Sequence, residues 1–569
     1  MKNKIFQFLI IVILLVTSCK EQFITKDMDK SRYTPNGFFV TKAHAQMALN
    51  AAYDGLNQWA NGYVWFLGIM HFVLGDDLYE TGYAAGFSPW GSICNFDIQA
   101  TMGGVSDCWN GYYQNILWAN TAIDVMPQAQ KVANDATFTT DVLNNYMGQA
   151  YFLRAFMYYN LAQYYGDDKI IIRRTVPKTA AEFAQAPAPA DSARAFIISD
   201  LKKAEALLTN GLNNTAGYEK GRATRGSAAA LLGKFYINRG MYAEAAAEFK
   251  KILPGVGDAA YGSYSLVPNF RDNFKRTTKN NVESVFEIQF GDLNQQGGWG
   301  NNDVNWLFQN WTLNRTSWGI MWWNFGVPTF KLEDPSGPAN NVSQFESWTE
   351  TIGGVPTKVY DYRVYETFWG VPNGAKFTEK GVVKDWVAQG WNLETVVGTT
   401  GSYGIRKYAV DADNEGPAGL DPLWSDNNVR LIRLSDVMLL YAECLANLNP
   451  ANVAPADVNS AIYWVDQVRN RANAVATDQA GLYSTRAGVL GQLPSATALK
   501  AAKGWSLLQL IQHERYVEGY CEGWRKEDMK RWQVGASFVK LKTNWKGYQS
   551  LTLPVPQGEL DNNPNFPKQ

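Results

Sequence analysis

Apolar and polar positions alternate with helical period in two zones of the chain, and the stretch between them follows neither helical nor strand period. In NYMGQAYFLRAFMYYNLAQYYGD, Tyr146, Ala150, Leu153, Met157, Leu161 and Tyr165 recur at three- and four-residue steps. This spacing predicts a helix with one apolar face, stopped at Gly166 and Asp167. The second zone opens with VRLIRLSDVMLLYAECLANL, breaks at a loop holding Pro450 and Pro455, and resumes as DVNSAIYWVDQVRNRANA. Those two segments predict an antiparallel helix pair. WSLLQLIQHERYVEGYCEGWRKEDMKRW then predicts one last long helix. Its Glu514/Glu518/Glu522 ladder and Glu527/Arg531 pair are expected on a polar face, as local ion pairs contributing a few tenths of a kcal/mol each.

In the first zone, GRATRGSAAALLGKFYINRGMYAEAAAEFKKILP places Leu232, Gly233 and Tyr236 before Ala245 and Phe249. These are the offsets of a tetratricopeptide helix pair, whose small residues let two helices approach closely. Gly240 is expected at the turn, and Pro254 beyond the second helix. Between the zones, from about 262 to 427, Gly, Asn, Pro and aromatics alternate with short strand-like runs such as ESVFEIQF (283–290). That pattern predicts loops and short β-hairpins carried on a helical scaffold, where binding residues tend to sit.

Within this middle stretch, GGWGNNDVNWLFQNWTLNRTSWGIMWWNFG packs Trp299, Trp306, Trp311, Trp318, Trp322 and Trp323 into 25 residues, against 21 tryptophans in the 569-residue chain. An indole face attracts the C–H face of a pyranose, and one such stack is worth about 2 kcal/mol from the apolar area it removes from water. Six exposed indoles would invite aggregation, so some must pack inside. Trp306 and Trp311 adjoin Leu307, Phe308 and Leu313 and are expected in the core. Trp299 lies in a polar loop and is expected to be exposed. Trp322 and Trp323 are adjacent and point to opposite faces of an extended chain, so one can pack while the other meets ligand. Asn301, Asn302, Asp303 and Asn324 are on hand to bridge sugar hydroxyls. A second patch, GDDLYETGYAAGFSPWGSICN (75–95), offers Trp90 between Pro89 and Gly91, with Tyr83 and Asp77 as supporting residues for which a structural role is favoured.

Composition narrows the function classes. A net charge of −1 with dispersed signs offers no phosphate-binding stripe and argues against nucleic acid. His44, His71 and His513 lie far apart and in no metal-ligand spacing, so no metal or other cofactor is expected. DADNEGPAGLD (411–421) alternates acidic residues out of EF-hand register and reads as a solvated loop. No catalytic motif occurs at a strand-to-helix turn, and no carboxylate pair stands apart, so a non-enzyme is expected. Lys2 and Lys4 precede the apolar run Ile5–Val16, which is too short to span a bilayer. LVTSC follows and resembles the lipobox of bacterial lipoproteins, which implies lipidation at Cys19 after removal of residues 1–18. Cys94, Cys108, Cys444 and Cys521 are too few and scattered for a disulfide framework. Cys94 and Cys108 flank one loop, and buried free thiols are favoured over pairing.

Taken in order, these landmarks resemble the SusD/RagB family of Bacteroidetes surface lipoproteins over nearly all of the mature chain. The segments carrying the likeness are ALNAAYDGL, WNGYYQNILWANTAID, RAFMYYNLAQYYGD, GRATRGSAAALLGKFYINRGMYAEA, RLSDVMLLYAECLAN, VDQVRNRA, ERYVEGYCEGWRKEDMKRW and the tail LTLPVPQGELDNNPNFPKQ. Val555 departs from the family's usual isoleucine and Lys526 from its usual aromatic. The resemblance implies a mainly α, SusD-like fold with tetratricopeptide-like helix pairs as scaffold. Residues 19–569 would form a single domain, with the helical scaffold at about 38–260 and 428–535 and a variable ligand-binding region at about 262–427. It further implies a glycan-binding protein on the bacterial outer membrane, lipid-anchored and facing the cell exterior. Such a protein passes its ligand to a SusC-type TonB-dependent transporter, and in that arrangement Trp90 would join the 290–325 region on one face. A peptide receptor of the RagB type and an envelope assembly scaffold remain as alternatives.

Overall fold

The computed structural model describes residues 35–57, 71, 74, 75, 77, 79, 80, 93, 96–209, 219–290, 325–328, 345–352, 354–369, 377–379, 382–384, 402–405, 407, 408, 427–473, 493–534 and 551–567. Helices dominate them. In the N-terminal half α1 (Lys42–Asn57), α2 (Gly103–Val132), α3 (Thr140–Tyr165) and α4 (Ala190–Leu207) pack as successive antiparallel neighbours. Thr139 caps α3 by accepting the Val142 amide, and Gly166 ends it where the sequence predicts. From Gly148 to Tyr165, however, α3 is buried nearly all round, Tyr151 alone being half-buried, so it is a central helix with no polar face. Arg154 is accommodated there by a bidentate pair with Asp200 (2.7 and 2.9 Å) and by the Asn120 side-chain oxygen at 2.7 Å.

The tetratricopeptide-like pair is present as α5 (Arg225–Ile237) and α6 (Tyr242–Lys250). A Cβ on Gly233 would lie 2.5 Å from the Phe249 ring, so glycine is what permits the close approach. The second pair is α8 (Leu434–Leu448) and α9 (Ala461–Asn473), and α6 packs on α8. Here the structure corrects one expectation. VRLIR forms strand β10 (Val429–Arg433), which pairs antiparallel with β2 (Ser284–Ile288), and the helix begins only at Leu434. All five positions of each strand are buried, so neither shows the alternation of a half-exposed strand.

Residues between β2 and β10 supply short strands. β1 (Tyr79–Glu80), β3 (Phe325–Pro328), β9 (Ser402–Ile405) and β6 (Phe368–Trp369) form one sheet in the order β1-β3-β9-β6. β4 (Ser347–Ile352) with β5 (Val355–Tyr360), and β7 (Phe377–Glu379) with β8 (Val382–Lys384), are hairpins. A short helix α7 (Tyr362–Thr367) runs directly into β6. Next in the C-terminal part come α10 (Ala496–Lys503), α11 (Leu507–Gly519), α12 (Arg525–Arg531) and α13 (Gln557–Asn562). The expected single last helix is thus two, split at a turn where Cys521 (φ 58°) and Gly523 (φ 79°) adopt left-handed backbone.

The largest correction concerns the charges of that segment. Glu514 and Glu518 are fully buried and Glu522 is 1% exposed, and their partners come from distant parts of the chain. Glu518 meets Arg433 (3.0 Å), Arg363 (3.1 Å) and Arg471. Glu514 meets Arg363 at 2.6 Å and Arg469 at 2.8 Å, and Glu522 meets Arg433 at 2.7 Å and Lys407 at 2.6 Å. Glu283 closes the layer by pairing with Arg433 and Arg471. Burial acts to raise the Glu518 carboxyl, but Arg471, Arg433 and Arg363 together hold it well below the ordinary carboxylate range. A second buried set joins the two helix pairs: Lys234 to Asp436 (2.8 Å), Asp436 to Arg515 (2.9 Å), Arg515 and Arg531 to Asp528, and Arg531 to Glu443 (2.7 Å). Glu527 belongs to this set through Lys234 and the Tyr159 hydroxyl, so the expected local Glu527/Arg531 pair is replaced. Lys526, where the family favours an aromatic, is buried with its Nζ 3.4 Å from the Tyr164 ring centroid, and it donates to the Gln163 carbonyl. Its methylene stem and cation–π contact occupy the space of a ring.

Candidate ligand-binding site

Most of the residues nominated from sequence fall outside the described residues: Trp90, Trp299, Trp322, Trp323, Asn301, Asp303, Asn324, Tyr83 and the lipidation site Cys19, together with Trp306, Trp311, Trp318, Cys94 and the acidic loop 411–421. The described residues fix the points from which these segments depart. β1 and β3 are antiparallel with Glu80 opposite Phe325 and Tyr79 opposite Gly326. The chain leaving Glu80 toward Trp90 and the chain reaching Phe325 from Trp323 therefore start side by side. β9 continues the sheet to β6, and β6 follows α7, whose Arg363 is bound by Asp361, Glu514 and Glu518. The sheet is thereby tied to the buried ionic layer.

Asp77 is the nominated residue whose side chain is described. It is 1% exposed, and its Oδ2 accepts the Cys521 amide at 2.9 Å. Nearby, His71 sits against Gly523. Burial lowers the His71 pKa to about 4, against partial compensation from Glu527. An imidazole whose folded pKa lies below its unfolded value of about 6.5 contributes stability above that value and loses it as pH falls toward 4. Replacing His71 by Gln is therefore expected to flatten the melting temperature between pH 6.5 and 4. A thermal-unfolding pH series measures this, and an unchanged slope would show that another group governs the window.

A separate cleft of about 530 Å³ opens where α1, the 219–222 loop and the exit of β2 meet. Asn50, Tyr53, Asp54 and Asn57 line it from one face of α1, at the i, i+3, i+4, i+7 spacing of a helix. Opposite them, the Arg222 guanidinium lies 4.6 Å from the Tyr53 ring centroid and donates to Asn50 (2.6 Å) and Glu219 (2.8 Å). Gln289 forms the floor, held by reciprocal amide bonds with Asn280 (2.7 and 2.9 Å) and by Asn428. Asn57 donates to the Gln289 carbonyl at 3.4 Å, so the end of α1 is held beside the chain just beyond β2. These fixed amides and carboxylates can hydrogen-bond hydroxyl groups. Sequence reasoning did not nominate them, although the polar spacing in NAAYDGLN was the signal available.

Among the described residues, Glu346, His513 and Glu514 bring potential ligating atoms within 4.8 Å of one another. Arg469 already binds Glu346 through two nitrogens (2.7 and 3.0 Å) and reaches Glu514. Burial would raise the Glu346 carboxyl, yet the His513 and Arg469 hydrogen bonds hold it at about 2. A guanidinium within the group supplies the charge a cation would bring, so the arrangement is an ion-pair node. Cys108, Cys444 and Cys521 are buried. No helix among the described residues is long and apolar enough to cross a membrane.

The SusD family profile matches residues 282–568, half of the chain. The chain belongs to the SusD/RagB family. A second profile, described as starch-binding associating with outer membrane, matches residues 87–237. A SusD-like protein from Formosa agariphila is 24% identical over 94% of this chain and 93% of its own length. Among solved structures, a SusD homologue from Bacteroides thetaiotaomicron superposes with a TM-score of 0.69 at 17% identity, covering 95% of this chain and 99% of that one. Surface glycan-binding protein A from the same organism, in complex with laminarihexaose, gives 0.60 at 21% identity over 92% and 98%. The mainly helical SusD-like fold expected from the motifs is thus the fold observed. Its E-R-x-x-E…E-G-x-R-x-x-D-x-x-R-W signature also has a physical account here. Glu514, Arg515, Glu518, Glu522, Asp528 and Arg531 are each a node in the buried ionic sets, and Trp532 donates its indole N–H to Glu443 at 3.0 Å.

Proposed function

We propose that this SusD-family chain is a cell-surface glycan-binding lipoprotein. It captures oligo- or polysaccharide and delivers it to a SusC-type TonB-dependent transporter in the outer membrane, to which Cys19 anchors it by lipid. The observation that carries the binding reading is the Glu80–Phe325 pairing, which brings together the bases of the two segments bearing Trp90 and Trp322/Trp323. Tryptophan rings suit the apolar faces of sugar rings, and Asn301, Asp303 and Asn324 are the proposed partners for the hydroxyls. The amide-lined cleft at Asn57 and Gln289 adds fixed hydrogen-bonding groups at the base of the Trp299 segment. Likeness to a laminarihexaose-bound surface glycan-binding protein is consistent with the same ligand class. The reading is one of binding without turnover, and the outer-membrane location agrees with the description of the profile matched at 87–237.

Affinity-gel electrophoresis against a panel of polysaccharides, run beside a peptide array, tests this function. Retardation by at least one polysaccharide with no peptide retained is expected, with the glycan unchanged after long incubation. Peptide capture alone would move the reading to a RagB-type receptor, and glycan cleavage would make the protein an enzyme.

A further inference from the structure

The turn between α11 and α12, GYCEGW (519–524), is shaped around residues from the other end of the chain. At Cys521 the backbone turns left-handed (φ 58°), and its amide leaves the helical ladder. A buried N–H without an acceptor is costly, and the Asp77 carboxylate accepts this one at 2.9 Å with a charge-assisted bond. Two residues on, Gly523 has φ 79°, and a Cβ there would lie 2.5 Å from the His71 ring and 2.8 Å from the His71 carbonyl oxygen. Gly75 faces the same turn, where a Cβ would come 2.9 Å from the Cβ of Arg525 and would clash with the Asp77 carboxylate. Residues 71, 75 and 77 are thus seated in the C-terminal turn by shape as well as by hydrogen bonding. Two residues after Asp77, β1 begins, and β1 pairs with β3.

We infer that Asp77 is a positioning residue: its bond to Cys521 fixes the β1–β3 strand pair to the C-terminal scaffold and so sets the alignment of the ligand surface, without contact with ligand. Among the described residues β1 has two register partners, Gly326 and Phe325, a short pairing that a second attachment would reinforce. The socket supplies that attachment from the scaffold side. Asp77 is 1% exposed, which removes it from direct contact with a bound sugar. The ligand part of this inference rests on the glycan-binding reading above, whereas the anchoring part stands on the described residues alone.

The test compares Asp77→Ala with Asp77→Asn, which keeps an oxygen able to accept the Cys521 amide. Hydrogen exchange is followed at 79, 80, 325 and 326 and, as internal reference, in α5 and α8. Affinity gels with the polysaccharide that retards the wild-type chain supply the second readout. In Asp77→Ala, protection at the strand pair is expected to fall at least about tenfold with α5 and α8 unchanged, and retardation to weaken by about tenfold or more; Asp77→Asn restores both. Unchanged protection at the strand pair in Asp77→Ala overturns the inference. Equal loss in α5 and α8 overturns it too, by making Asp77 a general stabilising residue. Wild-type affinity in Asp77→Ala despite lost protection overturns the link to ligand alignment. If no polysaccharide retards the wild type, the glycan reading fails, and exchange still decides whether Asp77 anchors the strands.

Discussion

Glu518→Ala is expected to destabilise the protein by about 4 kcal/mol or more, a large share of the roughly 5–15 kcal/mol that holds a typical domain folded. The substitution removes the carboxylate shared by Arg363, Arg433 and Arg471, whose side chains are all 4% exposed or less. Water cannot rehydrate these guanidinium groups without opening the core, so their desolvation is left uncompensated. Glu518→Gln keeps the volume but not the charge, and is expected to be nearly as damaging. Asp168→Ala supplies the contrast. Its pair with Lys169 is solvated, with side chains 63% and 32% exposed, and its loss is expected to change stability by less than about 0.5 kcal/mol. Urea-induced unfolding of the three variants measures the differences. A Glu518→Ala midpoint close to wild type would mean that the layer is hydrated and that its burial contributes little.

That prediction also marks where the sequence misled. Helical period and capping signals located α3, the α5–α6 pair and the α8–α9 pair, because those elements are specified by residues three to five positions apart. Gly233 and Phe249 even announced the close helix approach that the structure contains. Glu514, Glu518 and Glu522 also repeat at four-residue steps, and the same local rule assigned them to a solvated face. Their partners Arg363, Arg433, Arg469 and Arg471 lie from 45 to 155 positions away, as the Arg469–Glu514 and Arg363–Glu518 pairs show. No local pattern reveals such a partner, and an ion ladder on a surface looks the same as one in a core. β10 was missed for a related reason. VRLIR is apolar enough for either a helix or a buried strand, and its pairing with Ser284–Ile288 decides the matter from more than 140 residues away. The density of tryptophans nominates a candidate site by chemistry alone, and those residues lie outside the described ones. The apposition of Glu80 and Phe325 is a non-local pairing of the same kind, and the cleft beside Asn57 combines three separate segments.

Combined replacement of Trp90, Trp299 and Trp322 by Ala is expected to abolish polysaccharide retardation while leaving the unfolding transition in place. Each indole–sugar stack removes apolar area worth about 2 kcal/mol, so a single substitution should weaken binding by about 10- to 30-fold. Three such losses carry a micromolar interaction beyond the range that gels or calorimetry detect. Trp323→Ala, made alongside, separates the two neighbours: the one that packs lowers the melting temperature, and the one that stacks lowers affinity. Trp306→Ala and Trp311→Ala are the matching packing controls and should act on stability. Retained retardation in the triple variant would sink the aromatic platform and move attention to the amide-lined cleft.

The buried ionic layer also bears on how such a protein can change over evolutionary time. Because Glu518 serves three cations and Arg433 serves Glu283, Glu518 and Glu522, no member can be exchanged without stranding another. Drift at these sites must proceed by coordinated substitutions, and intermediates would be lost before they were tested for function. Residues outside these ionic sets carry no such mutual obligation. A scaffold locked in this way confines change to the segments outside the ionic sets, so relatives can diverge there while inheriting the same frame.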